Sequence, residues 1–226
     1  MKVWILNFHG IGEPHSGVEQ SERPYWISEE QFGACLDVCE RHRNLIEITF
    51  DDGNRSDLTV AAPALKRRQL TACFFVLSGR MHDPQYLSRE AMREMRAMGM
   101  TIGLHGGQHL DWRQLSDDAL HDELYGARHL IADAAGAPVE VAAIPFGHYD
   151  RRVMRKLLDA RFRHVYSSDG GPAVRGRWFQ PRTSIRRDTD LGALEAEIAG
   201  GLNNVRHLRR VISIAYRRHV KNGRRA

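Results

Sequence analysis

The sequence has little cysteine and no long run of apolar residues. Its 226 residues include three cysteines, Cys35, Cys39 and Cys73, and an odd number argues against a disulfide framework. No stretch approaches the roughly 20 apolar residues that a membrane-spanning helix needs. The N-terminal run MKVWILNFHGIG is short, is broken by Asn7 and His9, and has no small-residue cleavage site behind it. It therefore predicts a first buried strand and no signal peptide, and we expect a cytoplasmic protein.

Acidic residues are absent from the last 25 residues, 202–226, although the whole chain has a net charge of only +5. Two interpretations stay open. The segment is either a solvated terminal helix with a frayed tail or a contact for an anionic membrane surface or a phosphate-bearing lipid carrier. Aromatic residues do not alternate with the basic ones as stacking platforms would, so we expect no nucleic-acid partner.

The rest of the chain alternates short apolar runs with helical patterns. With 42% hydrophobic and 27% charged residues, it suits one α/β domain. The predicted strands cover residues 3–8, 45–50, 71–77, 101–105, 140–146, 164–169 and 182–187. The predicted helices cover residues 28–43, 57–69, 88–99, 116–136 and 150–162. Such βα units form a parallel barrel or a doubly wound sheet, and in both the functional residues gather at the C-terminal ends of the strands.

Sulfur-containing residues recur at helical spacing in two of these segments. Cys35 and Cys39 lie four apart, and Met92, Met95 and Met98 lie three apart. In both cases the spacing favours a buried helix face over a metal or cofactor site.

Two adjacent aspartates, Asp51 and Asp52, end the predicted strand LIEITF and precede Gly53. Adjacent carboxylates repel each other, so the pair is stable only if a cation binds or one pKa rises. An Asp-Asp-Gly triplet also makes ordinary turns, and the triplet alone leaves both interpretations open.

The segment TIGLHGGQHLDW places His105 and His109 four residues apart at the end of another predicted strand. If the chain turns into a helix there, both imidazoles lie on one face and bind the same metal ion. One carboxylate and two histidines leave open positions on zinc or a similar divalent ion. The pattern therefore indicates a catalytic metal site.

Three segments, TFDDG at 49–53, HGGQH at 105–109 and PFG at 145–147, together resemble successive motifs of the polysaccharide deacetylases. These are the carbohydrate esterases with the nodulation-deacetylase homology domain. The segments FHGIG and TACFFV are also similar to family segments, and the resemblance runs from about Trp4 to about Asp188. It implies a distorted (β/α) barrel of about seven strands, a divalent metal that is usually zinc, and hydrolysis of N-acetyl groups on amino sugars.

Carried over by position, the resemblance assigns metal binding to Asp52, His105 and His109. It makes Asp51 the general base, which takes a proton from a water that the metal activates. The backbone around Phe146 and Gly147 would contact the substrate and hold the oxyanion.

The sequence also departs from the family pattern. Where the third motif usually has an arginine that orients the base, this chain has Ala143. Arg182, in the segment QPRTS, either replaces that arginine or forms a structural ion pair.

The fifth motif's histidine, the family's general acid, has no convincing equivalent after Asp169. His148, directly after PFG, is the nearest candidate acid, although a surface histidine is the alternative. Trp178 either walls the sugar site or packs in the core. We also expect His9, which ends the first predicted strand, to reach the pocket.

We therefore expect residues 1–201 to form a deacetylase domain and residues 202–226 a basic helix and tail. The predicted activity is metal-dependent removal of N-acetyl groups from an amino sugar, with zinc as the expected metal. A cytoplasmic location favours a biosynthetic intermediate, and the basic C-terminal segment would help it meet an anionic carrier or membrane. Two alternatives stay open: hydrolysis of another carbon–nitrogen bond, such as a formamide or cyclic amide, and sugar binding without catalysis.

Overall fold

A computed structural model describes residues 1–200 and residue 214 of the chain. A nine-stranded sheet curls into a nearly closed barrel, with strand order β7-β1-β2-β3-β4-β5-β6-β8 and β9 beside β1. Its strands are β1 (Lys2–Phe8), β2 (Ile46–Phe50), β3 (Cys73–Val76), β4 (Thr101–Leu104), β5 (Val141–Ala143), β6 (His164–Ser167), β7 (Ala173–Val174), β8 (Phe179–Pro181) and β9 (Thr183–Ser184). The pairing is parallel except between β1 and β7.

One continuous segment, residues 179–184, brings the two sides of the barrel together. Its first half pairs with β6 as far as Pro181, which lies opposite Ser167, and at its end Ser184 pairs with Asn7 of β1. Arg182 lies between the two pairings, and its backbone N–H donates to Ser167 O at 2.9 Å. Arg182 therefore lies at the C-terminal ends of the strands, within the segment that closes the barrel.

The helices pack against the outer face of the sheet. They are α1 (Glu29–Arg41), α2 (Ala62–Arg67), α3 (Arg89–Ala97), α4 (Asp117–His121), α5 (Ala127–Ala135), α6 (Arg151–Asp159) and α7 (Leu191–Gly200). Wider π turns, Asp57–Ala61 and Asp122–Gly126, precede α2 and α5. Ser28 and Ser116 cap α1 and α4, because their hydroxyls accept hydrogen bonds from backbone N–H groups three residues on.

Strand residues alternate between two apolar clusters. Residues such as Ile5, Phe75 and Tyr166 fill the barrel interior, whereas their neighbours pack outward against the helices. The outer cluster contains Cys35 and Cys39, and burial raises the pKa of both thiols to about 12. The predicted buried helix face is therefore confirmed.

Met92 and Met95 are fully buried in the same outer cluster, and Met98 packs against it. Their predicted role in the core is confirmed.

The predicted α/β barrel is confirmed, and each of the seven predicted strands overlaps an observed one. The short strands β7 and β8 and the helix α7 were not predicted. The expected basic helix and tail, residues 202–226, lie outside the described residues apart from Ile214. No helix in the described part of the chain is long and apolar enough to cross a membrane.

Candidate metal and catalytic site

The acidic pair and both motif histidines meet at the C-terminal end of the barrel. Asp51 and Asp52 directly follow β2, and His105 directly follows β4. One ligand atom from each of Asp52, His105 and His109 lies within 4.8 Å of the other two. Asp52 Oδ1 is 3.7 Å from His105 Nε2 and 3.5 Å from His109 Nε2. The parallel topology therefore places three residues from two strand ends around one point.

The helix that was considered as one way to bring the two histidines together is absent. Residues 105–110 form an irregular loop, in which Gly106 has φ +97° and His109 has φ +55°. These left-handed conformations return the His109 ring to within 5.2 Å of the His105 ring, measured between centroids. The loop thus achieves the convergence that helical spacing was expected to give.

Glu123, a buried carboxylate on the π turn before α5, holds this loop in place. It accepts hydrogen bonds from Gly107 N at 2.8 Å, Gln108 N at 3.0 Å and the Trp112 indole at 3.2 Å. A Cβ on Gly106 would lie 2.4 Å from Glu123 Oε2, so glycine is required there. The sequence showed no signal for Glu123, because it follows the histidines by more than a dozen residues and lies inside an ordinary helical pattern.

Unfavourable backbone geometry concentrates at the site. Five described non-glycine residues have positive φ, and three of them, Asp52 (φ +76°), His109 (φ +55°) and Phe146 (φ +58°), lie here. Such conformations cost of the order of 1–3 kcal/mol each and persist where the surroundings over-determine them. Their clustering supports a functional role for this end of the barrel.

The three converging side chains fit a divalent metal ion. His105 Nδ1 lies 3.0 Å from Ala143 O, so a proton on Nδ1 satisfies that carbonyl and leaves Nε2 free towards Asp52. Burial lowers the pKa of His105 to about 4, so the ring is neutral at pH 7. Asp52 Oδ1 is buried with no hydrogen-bond partner among the described residues. Two ligands about 2.1 Å from a tetrahedral ion lie roughly 3.4 Å apart, close to the distances observed.

Glu22, in the loop between β1 and α1, supports the third histidine. Its Oε1 lies 3.3 Å from His109 Nδ1, so the Nδ1 proton faces a carboxylate and Nε2 faces Asp52. Burial alone would lower the pKa of His109, but the hydrogen bond to Glu22 and the charge of Asp52 raise it. A carboxylate behind a histidine ligand fixes its tautomer and raises its basicity. Sequence reasoning missed Glu22, because it lies far from every motif.

Asp51 is held apart from this triad by Arg182. The guanidinium donates through Nη1 to Asp51 Oδ1 and through Nη2 to Oδ2, both at 2.7 Å. Asn7, a buried residue of β1 that the sequence did not single out, donates to Oδ2 at 2.9 Å. Burial alone would raise the pKa of Asp51, but the charges of Arg182 and His105 hold it well below its usual value. The carboxylate is therefore ionised and fixed in orientation.

His9 reaches the acidic pair from the end of β1. Its charge is among the causes that lower the pKa values of Asp51 and Asp52 against the effect of burial. Its Nδ1 is buried with no hydrogen-bond partner in the described part of the chain. The Tyr25 ring packs on the His9 ring at 4.8 Å between centroids.

Phe146 and Gly147 form the opposite rim. The half-exposed Phe146 ring lies 4.3 Å from the His109 ring. Gly147 has φ +65°, and a Cβ there would lie 2.9 Å from the backbone N of Ser168, so only glycine fits. This segment is close enough to contact a substrate bound at the triad.

Two other predicted site residues lie farther out. His148 is exposed, and its Nδ1 lies 3.1 Å from Asp111 Oδ2, so it occupies the outer rim. Trp178 precedes β8 at the opposite end of the barrel, donates to Phe162 O at 2.9 Å and packs against the outer core. The structure does not bring Trp178 to the site.

A family model described as polysaccharide deacetylase matches residues 40–165. Two Bacillus subtilis (strain 168) proteins, each named "Putative polysaccharide deacetylase", are similar to the chain. YxkH is 24% identical over 128 residues, covering 57% of this chain and 46% of YxkH. YheN is 30% identical over 104 residues, covering 45% of this chain and 35% of YheN. The chain thus matches less than half the length of these curated relatives.

Solved structures share the fold. The Streptococcus pyogenes deacetylase PplD, in complex with acetate, has a TM-score of 0.74 and 21% identity, and the match covers 86% of this chain and 96% of PplD. The polysaccharide deacetylase BC0361 from Bacillus cereus has a TM-score of 0.75 and 20% identity, and the match covers 88% of this chain and 69% of BC0361. The barrel is therefore that of known deacetylases.

Proposed function

The chain belongs to the polysaccharide deacetylase family, and on that premise we propose that it is a metal-dependent hydrolase that removes N-acetyl groups from an N-acetylated amino sugar. The observation that carries the proposal is the separation of two roles between adjacent aspartates. Asp52 faces two histidines, and its Oδ1 has no hydrogen-bond partner within the part of the chain that the structure describes. Asp51 instead faces Arg182. We propose that the deacetylase domain comprises residues 1–201, because every residue of the proposed site lies within them.

Asp52, His105 and His109 would hold the metal, and their donor atoms suit zinc. The chemistry that a divalent ion would supply there is polarisation of the acetamide carbonyl and acidification of a neighbouring water. Glu22 and Ala143 O fix the protonated nitrogens of His109 and His105, so that both Nε2 atoms keep their lone pairs for the ion.

Asp51 acts as the general base. Its Oδ2 lies 3.9 Å from His105 Nε2, so the carboxylate borders the space where substrate and water meet. Arg182 keeps it ionised, because burial without that partner would raise its pKa. A carboxylate of low pKa is a weak base, but it suffices when the attacking water has been acidified.

The rim at Phe146 binds and orients the acetyl group. The left-handed conformation of Phe146 turns the backbone at the mouth of the site, where an N–H group can stabilise a developing oxyanion. The exposed ring beside His109 offers an apolar surface to the acetyl methyl group or to the sugar.

His9 is the stronger candidate for the general acid that protonates the departing amine. It lies beside both aspartates and its buried Nδ1 has no partner among the described residues, so that nitrogen is free to carry and deliver a proton. His148 is exposed and engaged with Asp111, which makes it the weaker candidate.

Acetate release tests the proposal. The zinc-loaded protein is assayed on a panel of N-acetylated monosaccharides, nucleotide sugars and short oligosaccharides. The controls are a chelated sample, Asp51→Asn, and the exposed matched variant Asp159→Asn. We expect acetate release that is abolished by chelation and by Asp51→Asn. Asp159→Asn should leave the release intact. No release from any substrate while one zinc stays bound would point instead to another carbon–nitrogen bond or to binding without catalysis.

A further inference from the structure

A cavity beside the proposed catalytic site is lined by three arginines. It has a volume of about 510 Å³, and its lining residues are Gln20, Arg23, Pro24, Arg186, Arg187 and Asp188. Asp188 is the acidic residue among them, and it already pairs with Arg186 at 3.1 Å. The cavity therefore has an excess of positive charge that the described residues do not neutralise.

The cavity has a defined structure. Its walls are residues 20–24 and 186–188, and the backbone of Arg187 donates to Pro24 O at 2.9 Å. The Arg187 side chain donates through Nε to Trp26 O at 2.6 Å, and Gln31 donates to Arg186 O at 2.9 Å. These contacts fix the backbone on both sides, so the arginines extend from a rigid frame.

Arg23 is the arginine best placed to bind a ligand. It is half-buried in a short 3-10 turn, and no ion pair joins its guanidinium to another described residue. A guanidinium without a carboxylate partner retains its donors for an anion, and its fork of N–H groups suits phosphate.

The same segment joins the cavity to the catalytic site. Glu22, one residue before Arg23, contacts His109. Tyr25, two residues after it, packs on His9, and the Arg186 guanidinium lies 5.2 Å from the centre of the Tyr25 ring. Tyr25 therefore lies between His9 at the catalytic site and Arg186 of the arginine cavity.

We propose that this cavity binds a phosphate group of the substrate, so that the enzyme acts on an N-acetylated sugar that bears a phosphate ester. The inference rests on the proposed function and deepens it by naming a substrate class. A soluble glycosyl phosphate and the phosphate headgroup of a lipid-linked sugar share this chemistry, and the experiment separates them.

Binding is measured first, because it does not depend on turnover. The zinc-loaded Asp51→Asn protein is titrated calorimetrically with N-acetylglucosamine 1-phosphate and with the neutral methyl glycoside of N-acetylglucosamine. We expect the phosphorylated sugar to bind at least ten-fold tighter, and Arg23→Gln to remove most of that preference. Arg23→Lys, which keeps the charge, should retain part of it. Arg163→Gln, an exposed arginine at the other end of the barrel, is the matched control and should change nothing.

Turnover is measured second, as the ratio of kcat/KM for the phosphorylated and the neutral sugar. The kcat/KM of the glycosyl phosphate on a polyprenyl chain in phosphatidylcholine vesicles is also divided by that of the neutral sugar. A higher value for the vesicle substrate identifies a lipid carrier as the source, and an equal or lower value identifies a soluble glycosyl phosphate.

The failures of the two proposals are distinguishable. The phosphate-binding proposal fails, and the deacetylase proposal stands, if acetate is released but neither measurement shows a preference for the phosphorylated sugar. The same conclusion follows if Arg23→Gln affects both sugars equally. The opposite result is a preference for the phosphorylated sugar that depends on Arg23, with no acetate release from any substrate. It supports the phosphate-binding proposal and contradicts the deacetylase proposal.

Discussion

Arg182 and Asp51 form a doubly hydrogen-bonded ion pair that solvent does not reach. Both contacts are 2.7 Å long, and the side chains are 0% and 3% exposed. Arg182 belongs to the segment that joins β6 to β1, so the residue that orients the proposed base lies in the segment that closes the barrel. This arrangement supports the proposal that Arg182 takes the place of the arginine that the family resemblance predicts at the position of Ala143.

Replacement of Arg182 by glutamine should shift the pH dependence of the reaction. In the native protein the pKa of Asp51 is below its usual value, so the base is ionised throughout the neutral range. Without Arg182, burial raises that pKa. The acidic limb of kcat/KM against pH should therefore move to higher pH, and activity at pH 7 should fall by about 10²-fold or more.

The same variant should unfold more easily, because it leaves a buried carboxylate without its partner. We expect a loss of about 3–5 kcal/mol in the free energy of unfolding, measured by urea denaturation. Arg175→Gln, which breaks the exposed pair with Glu47, is the control and should cost less than about 1 kcal/mol. A pH profile identical to that of the native protein would contradict the assignment of Asp51.

Glu22→Gln should weaken metal binding. Glutamine has no negative charge to pair with the N–H at His109 Nδ1. Loss of such a supporting carboxylate typically costs about 10–100-fold in metal affinity. The measurement is a competition titration of zinc against a chromophoric chelator. Glu19→Gln, an exposed glutamate in the same loop, should bind zinc like the native protein, and equal affinities for both variants would remove the role of Glu22.

His9→Asn and His148→Asn should differ strongly in turnover. If His9 protonates the departing amine, its replacement should lower kcat by about 10²-fold or more while zinc affinity stays near the native value. His148 is exposed at the outer rim, so its replacement should change kcat less than about three-fold. The opposite ranking would transfer the role of the acid to His148.

Asp57→Asn should stabilise the metal-free protein as the pH rises. Asp57 is fully buried and neither carboxylate oxygen has a hydrogen-bond partner among the described residues. Burial, together with the charges of Asp52 and Asp51, raises its pKa well above the usual value. The native state therefore keeps the proton above about pH 4, where the unfolded chain loses it, and stability falls with increasing pH.

The asparagine variant lacks this titration. Its advantage in the free energy of unfolding should be near zero at pH 4 and about 1 kcal/mol or more at pH 8, measured by denaturation in the presence of a chelator. The exposed control Glu13→Gln should show no such trend, and a pH-independent difference for Asp57→Asn would contradict the assignment.

The barrel and its catalytic end were predictable because both depend on local patterns. Apolar runs marked the strands, and polar residues directly after two of them, at Asp51 and His105, marked the end where a site forms. The short strands β7 and β8 were not predicted, because glycine, proline and arginine residues interrupt the apolar pattern around them.

The supporting residues were harder to predict, because their partners are distant along the chain. Glu123 and Glu22 each lie in a segment that looks like ordinary helix or loop, and only the fold brings them to His109 and its loop. Asn7 lies within a buried strand, where a single polar residue gives no indication of its partner. The spacing of His105 and His109 correctly indicated that their rings converge. They converge without a helix, because the glycine conformation and Glu123 bring the rings together.

The most direct test of the account is a metal titration of acetate release. Chelated protein receives zinc in fractional equivalents, and the initial rate of acetate release from an N-acetylated sugar is recorded at each addition. The account predicts a rate that rises linearly to one equivalent and then levels off, and that stays at background in His109→Ala. Release that is already maximal in the chelated protein, or a rate unchanged by His109→Ala, would contradict it.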